Sequence, residues 1–204
     1  MQLSAIRTEI LDAAGLASDD VRFGTATLNR MINRALRSVS KEHDWPWLQS
    51  SGTITTVADQ TAYTQASPWR KTIRLSYQST SLQQIGPLEA PNYFDLTSKN
   101  PTVYYMEEQQ VHLLPTPNAV FSVDHSFLTF EVALSGDTDE PALPDDYMDM
   151  LFARALMLVA IKLRDSELYN LAGEDWKLWI RRTADDVMQS KGPLKLTVRR
   201  GFPF

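Results

Sequence analysis

Apolar positions change their period twice along this chain, dividing it into a helical beginning, a β-rich middle and a helical end. Near the N-terminus Leu3, Ile6, Ile10, Leu11 and Ala14 recur at three- and four-residue spacing, which predicts a helix over 2–14 stopped at Gly15. Over 25–43 the period is cleaner: Leu28, Ile32, Ala35, Leu36 and Val39 form one stripe, and at about 100° per residue Arg30, Arg34, Arg37 and Lys41 occupy the opposite face. This predicts an amphipathic second helix with a basic back. Pro46 ends it by pushing Trp45 out of helical backbone, and Trp45 and Trp47 set large apolar anchors at the corner.

Beyond Ser50 the period shortens to two. Runs at 52–57, 71–77, 102–106, 110–114 and 120–132 are rich in β-branched and aromatic residues and are separated by turn residues. Thr53-Ile54-Thr55-Thr56-Val57 and Thr72-Ile73-Arg74-Leu75 alternate as strands with one buried face do. The recurrence of turns predicts a small sandwich or barrel, interrupted by a short helical turn near 90–96. After the polar stretch 135–140, Leu143-Pro144-Asp145-Asp146 marks a helix start, with proline early and carboxylates in the positive first turn. The helix that follows, to about Arg164, is apolar nearly all round and so should be enclosed. A last helix over 166–190 should bury Leu168, Ala172, Trp176, Trp179, Ile180 and Val187, joined to its predecessor by a turn or a kink at 164–167.

The expected fold is therefore α+β. N-terminal helices (1–50) and C-terminal helices (143–190) make one helical bundle, an antiparallel β-sandwich or barrel-like domain (51–142) is inserted between them, and an extended arm (191–204) closes the chain. The length of 204 residues, with 43% hydrophobic and 22% charged, is enough for a packed core. Zero cysteines exclude a disulfide framework, a thiolate zinc site and a cysteine nucleophile. No segment reads as a signal peptide or a bilayer span, so a cytoplasm-like compartment and no membrane partner are expected.

Little in the chain points to catalysis. His43, His112 and His125 have no companion at metal-ligand spacing, adjacent carboxylates such as Asp145-Asp146 diverge on a helix, and no glycine pattern cradles phosphate. Neither a cofactor nor a metal is expected, and the chain reads as structural. Charge carries more information. The net charge is −5, yet the last fourteen residues hold Lys191, Lys195, Arg199 and Arg200 and no acidic side chain. In that arm Leu194, Leu196 and Val198 alternate with the polar Lys195 and Thr197, and Phe202 and Phe204 stand as terminal anchors, a pattern suited to strand addition on another protein. The stripe Arg30, Arg34, Arg37 and Lys41 could meet phosphates or an acidic face of a neighbouring subunit.

The order of several segments resembles one family. Leu28-Asn29-Arg30-Met31-Ile32-Asn33-Arg34-Ala35 followed by Trp45-Pro46-Trp47-Leu48 is similar to the N-terminal part of tailed-phage head-to-tail adaptor proteins, the group that includes podovirus tail tubular protein A. Pro101-Thr102-Val103-Tyr104-Tyr105 with Val111-His112-Leu113-Leu114-Pro115-Thr116-Pro117 resembles the group's central hairpin, and Leu143-Pro144-Asp145-Asp146-Tyr147 with the following helix resembles its C-terminal helical pair. One departure is local: the group tends to show a glycine, a tyrosine and a leucine-proline in its first hairpin, whereas Asp59-Gln60-Thr61-Ala62-Tyr63 keeps only the tyrosine, with Thr64-Gln65 after it.

The resemblance implies a virion protein at the head-tail junction, assembled in the host cytoplasm. It would form a ring of itself, twelve copies in most cases, docked on the portal protein and offering a platform to a tail or nozzle protein. Double-stranded DNA would pass through without sequence readout, past an acidic lining that gives no counterion-release gain. Two other readings compete: a nucleic-acid-binding protein using the basic helix face and the arm, and a receptor- or glycan-binding β-module built on exposed aromatics such as Trp69 or Tyr93.

Overall fold

In a computed structural model that describes residues 1–65, 69–94 and 100–190, the N-terminal spacing becomes helix α1 (Leu3–Ala13), which buries Leu3, Ile6, Ile10 and Leu11. It ends where Gly15 takes φ +65°, a left-handed conformation that glycine adopts without strain. Helix α2 (Thr25–Glu42) buries Leu28, Ile32, Ala35, Leu36, Val39 and Ser40; the Ser40 hydroxyl donates to the Leu36 carbonyl at 2.9 Å and so is satisfied in the core. Helix α3 (Met148–Leu163) follows a 3₁₀ turn at Asp145–Tyr147 and packs against α1 and α2 and against α4 (Ser166–Ser190). Its all-round apolarity is explained by those three neighbours, and it lasts until Ile161, which is 60% exposed.

The junction of α3 and α4 is a tight turn. Arg164 takes φ +60°, Asp165 donates its backbone N–H to the Ala160 carbonyl at 3.0 Å, and the Asp165 carboxylate accepts the Leu168 N–H at 2.9 Å to cap α4. The two helices then lie against each other, which a kinked continuous helix could not do. The expectation for α4 itself needs correcting. Ala172 is buried as predicted, but Leu168, Trp176, Trp179, Ile180 and Val187 are only half-buried, while Thr183 is buried. A helix packed mainly along one neighbour covers a narrow stripe, so the flanks of its apolar face stay open.

Among the described residues eight strands form two four-stranded open sheets: β1 (Gln49–Thr55), β8 (Ser122–Thr129), β3 (Trp69–Tyr77) and β4 (Thr80–Ser81) in one, β2 (Ala62–Thr64), β7 (Gln110–Leu114), β6 (Val103–Glu107) and β5 (Gln83–Gln84) in the other. Neither sheet closes into a barrel, and β5 pairs with β6 in parallel, so the second sheet is mixed where an antiparallel one was expected. Ile54, Leu75 and Val123 from the first sheet meet Tyr63, Tyr104, Val111 and Leu113 from the second in one apolar cluster. The far side of the second sheet buries Val103, Tyr105 and Leu114 with Ala90 of the 3₁₀ turn Pro87–Tyr93. Covering both faces explains why Val103-Tyr104-Tyr105 does not alternate.

The alternation read in Thr72-Ile73-Arg74-Leu75 is also altered. A register shift between Thr72 and Arg74 turns Thr72 inward, keeps Leu75 fully buried and leaves Ile73 46% exposed. The chain groups into two compact units, Asp44–Val132 and the rest, so the β unit ends at Val132 instead of running on to 142. The cause is local. Asn33 of α2 donates its amide to the Leu134 carbonyl and accepts the Leu134 N–H, both at 2.8 Å, which ties the stretch after Val132 to the helices.

Candidate assembly surfaces

On α2 the stripe opposite the buried side is as charged as the sequence predicts: Arg30, Arg34, Arg37 and Lys41 are all exposed. The Arg30 guanidinium reaches only as far as the Thr27 hydroxyl, at 3.5 Å, so its charge faces solvent from the first half of the helix. The four cations spaced by three and four residues form a continuous ridge about three turns long.

Helix α4 presents a second surface. Leu171 is 63% and Leu178 43% exposed, seven residues apart and so on one side of the helix. Glu167, Glu174, Arg181 and Asp185, all exposed, flank them on the same side, so this face carries both signs of charge. Among these Glu174 holds Lys177 at 2.9 Å, a pair of exposed groups three residues apart. The inward edge of α4 is fixed by other contacts: the Arg154 guanidinium lies 5.6 Å from the Trp176 ring, and the Tyr147 hydroxyl donates to Asp186 at 2.6 Å. The α4 stripe was not foreseen, although the exposed Leu171 and Leu178 sit off the Leu168–Ala172–Trp176–Trp179 line already in the sequence.

A polar clasp holds the helical unit around these surfaces. The carbonyls of Asp139 and Asp137 accept the Leu3 and Ser4 N–H groups that open α1, at 2.8 and 3.1 Å. Arg7 links Asn29 of α2 at 3.0 Å to Asp137 at 2.6 Å, and the Met1 ammonium donates to Asp145 at 2.8 Å. Asp139 accepts the Ser135 and Gly136 N–H groups, both at 2.8 Å, and these bonds hold its carboxyl below the usual range. The stretch 135–140, which reads as a plain polar linker, is thus bonded to the start of α1 and, through Asp137 and Arg7, linked to Asn29 of α2.

The remaining candidates are structural in their surroundings. His125 is 3% exposed, lies 3.0 Å from the Thr72 hydroxyl, and is held below the usual imidazole pKa by burial. His112 stacks on Tyr105 with ring centroids 4.5 Å apart, and His43 is half-buried just after α2. Among the described residues no three histidine or carboxylate side chains gather as a metal site. Trp69 and Tyr93 do not offer the open rings a glycan platform requires: both are half-buried, and Tyr93 packs on the cluster around Val103. No helix among the described residues is long and apolar enough to cross a membrane. The arm residues Leu194, Lys195, Leu196, Val198, Arg199, Arg200, Phe202 and Phe204 lie outside the described residues.

The profile of the SU10 adaptor protein family matches residues 1–196, through both units and into the arm as far as Leu196. The chain belongs to the SU10 adaptor protein family. A phage adaptor is a structural protein of the virion, and that is the role membership gives this chain. The match is to the SU10 adaptor family and not to podovirus tail tubular protein A in particular. No curated protein matches the chain.

Proposed function

We propose that this adaptor acts as the head-to-tail connector of a tailed phage. In this reading about twelve copies close into a ring beneath the portal protein, extend the channel through which double-stranded DNA passes, and give the tail or nozzle protein its platform. The observation that carries the reading is the family match over 1–196, which takes in helices, sheets and part of the arm together. The helical unit would form the ring wall, and the arm, with its four cations and two terminal phenylalanines, would reach the portal.

Electron microscopy of the purified protein with and without portal-bearing heads tests this directly. Rings seated on the portal are the expected result, and monomers indifferent to it would overturn the reading. A chain lacking 194–204 should keep its helical circular dichroism and lose attachment; attachment undiminished by the deletion would remove the arm from the mechanism. The exposed ridge Arg30, Arg34, Arg37 and Lys41 favours one competing reading, a nucleic-acid-binding protein. That reading requires duplex binding by the isolated chain that falls steeply with salt, roughly one counterion per phosphate contact.

A further inference from the structure

An edge strand leaves every second residue's N–H and C=O unpaired on its outer side, and proteins keep such edges short, charged or bulged. Most edges of these two sheets follow that rule. Strands β2, β4 and β5 are two or three residues long, and β3, where it runs past β4, carries Arg70, Lys71 and Arg74 and two register shifts. Strand β1 does not. Its seven residues, Gln49–Thr55, include no charge and no proline and pair with β8 without a register shift. On its other side, among the described residues, no backbone bond reaches Ser50–Thr55.

We infer that this open edge takes up residues 194–198 from the arm of a second copy as an added strand. The pairing deepens the connector reading, on which it rests for bringing copies together, and leaves residues 199–204 to reach the portal. Both faces of β1 suit that segment. On the side of the apolar cluster, Ser50, Gly52 and Ile54 stand opposite Phe127, His125 and Val123 of β8, all three of which are buried. Ser50 and Gly52 are exposed, and a Cβ on Gly52 would lie 3.7 Å from the Phe127 ring, so the row is shallow where β8 beside it is apolar. Leu194, Leu196 and Val198 fall on one side of an extended strand and fill such a row. On the opposite face Ser51, Thr53 and Thr55 are short and exposed, and Thr53 stands beside Asp124, an exposed carboxylate that makes no ion pair among the described residues. Lys195 and Thr197 fall on that face.

Charge argues for the arm as the occupant. Residues 191–204 hold four cations and no acidic side chain, whereas the β unit, Asp44–Val132, carries eight carboxylates against four cations. Three of those four cations, Arg70, Lys71 and Arg74, stand on β3, which lies beyond β8 from β1. The arm is therefore drawn to the β1 edge and kept from the β3 edge.

The chain has no cysteine, so introduced ones report the contact without background. Full-length chains carrying Ser51→Cys, Thr53→Cys or Thr55→Cys, all at exposed positions, are each mixed with full-length chains carrying Thr197→Cys on portal-bearing heads under mild oxidation. Each chain then has one cysteine, and a disulfide joining the two kinds forms only between copies. At least one of the three mixtures should give it in about tenfold or greater yield than a mixture with Thr80→Cys, exposed on β4 at the other edge of the same sheet. Attachment to the portal with no yield above that control would overturn the pairing and leave the connector reading standing. So would a disulfide found only within single chains that carry both cysteines, which would give the edge to the chain's own arm. Wild-type chains that do not attach would remove the connector reading itself, and the pairing with it.

Discussion

In the helical unit, segments far apart in sequence are tied by polar contacts: Asn33 clasps the backbone of Leu134 across 101 residues, and Arg7 reaches Asp137 across 130. The β unit closes on apolar side chains from both sheets, with one buried imidazole among them. The difference bears on what each region can do. Polar clasps tie the first turn of α1 to the stretch after Val132 and hold α2 to the same stretch through Asn33 and, by way of Arg7, through Asn29. A core sealed by burial is sensitive to anything that charges it.

The largest test of this contrast is Asn33→Ala. It removes the donor and the acceptor that satisfy the Leu134 backbone, and should cost about 2 kcal/mol of stability, measured by urea unfolding. Asn33→Asp keeps the acceptor alone and should lose roughly half of that. Unchanged unfolding in Asn33→Ala would show that the stretch after Val132 is held by Leu134 packing alone.

In the β unit the corresponding test is pH. Burial lowers the His125 pKa below its ordinary 6.5, so between those two values the unfolded chain binds a proton that the folded chain refuses. The stabilisation is present above 6.5 and is lost as pH falls through that value towards the lowered one, at most about 1.4 kcal/mol per pH unit. Urea midpoints compared at neutral and mildly acidic pH should show this loss, and His125→Gln should flatten it. A wild-type midpoint that is constant across the interval would mean the imidazole is charged in the fold.

How far the sequence discloses these features depends on the range of the physics involved. The α2 stripe is local, a matter of spacing within one helix, and its buried and basic faces are both legible; so is β7, whose residues match the predicted run 110–114. Strands β2, β4 and β5 are two or three residues long and exist by pairing with distant strands, which no local period reports. The α4 surface was obscured for a related reason. Its apolar residues suit a helix covered on a broad face, and only the position of α3 decides that Leu171 and Leu178 stay outside. Ile73 escaped because a bulge reverses its face without changing any residue type.

The smallest expected effect concerns the turn between β1 and β2, where Asp59 stands in a left-handed conformation at φ +62°. Its backbone N–H donates to the Pro117 carbonyl at 2.8 Å, and the Tyr63 hydroxyl closes the loop by donating to the Gln60 carbonyl at 2.6 Å. Those two anchors hold the turn in shape without glycine, at a cost that aspartate tolerates better than most residues. Asp59→Gly should therefore remove about 1 kcal/mol of strain and return part of it as greater freedom of the unfolded chain, for a net gain of roughly 0.5 kcal/mol. Asp59→Val, β-branched at the same φ, should lose about 1–2 kcal/mol. Thermal melts of the pair would separate the explanations: opposite signs mean the backbone angle governs this corner of the β unit, whereas equal losses would mean the aspartate side chain itself holds the turn.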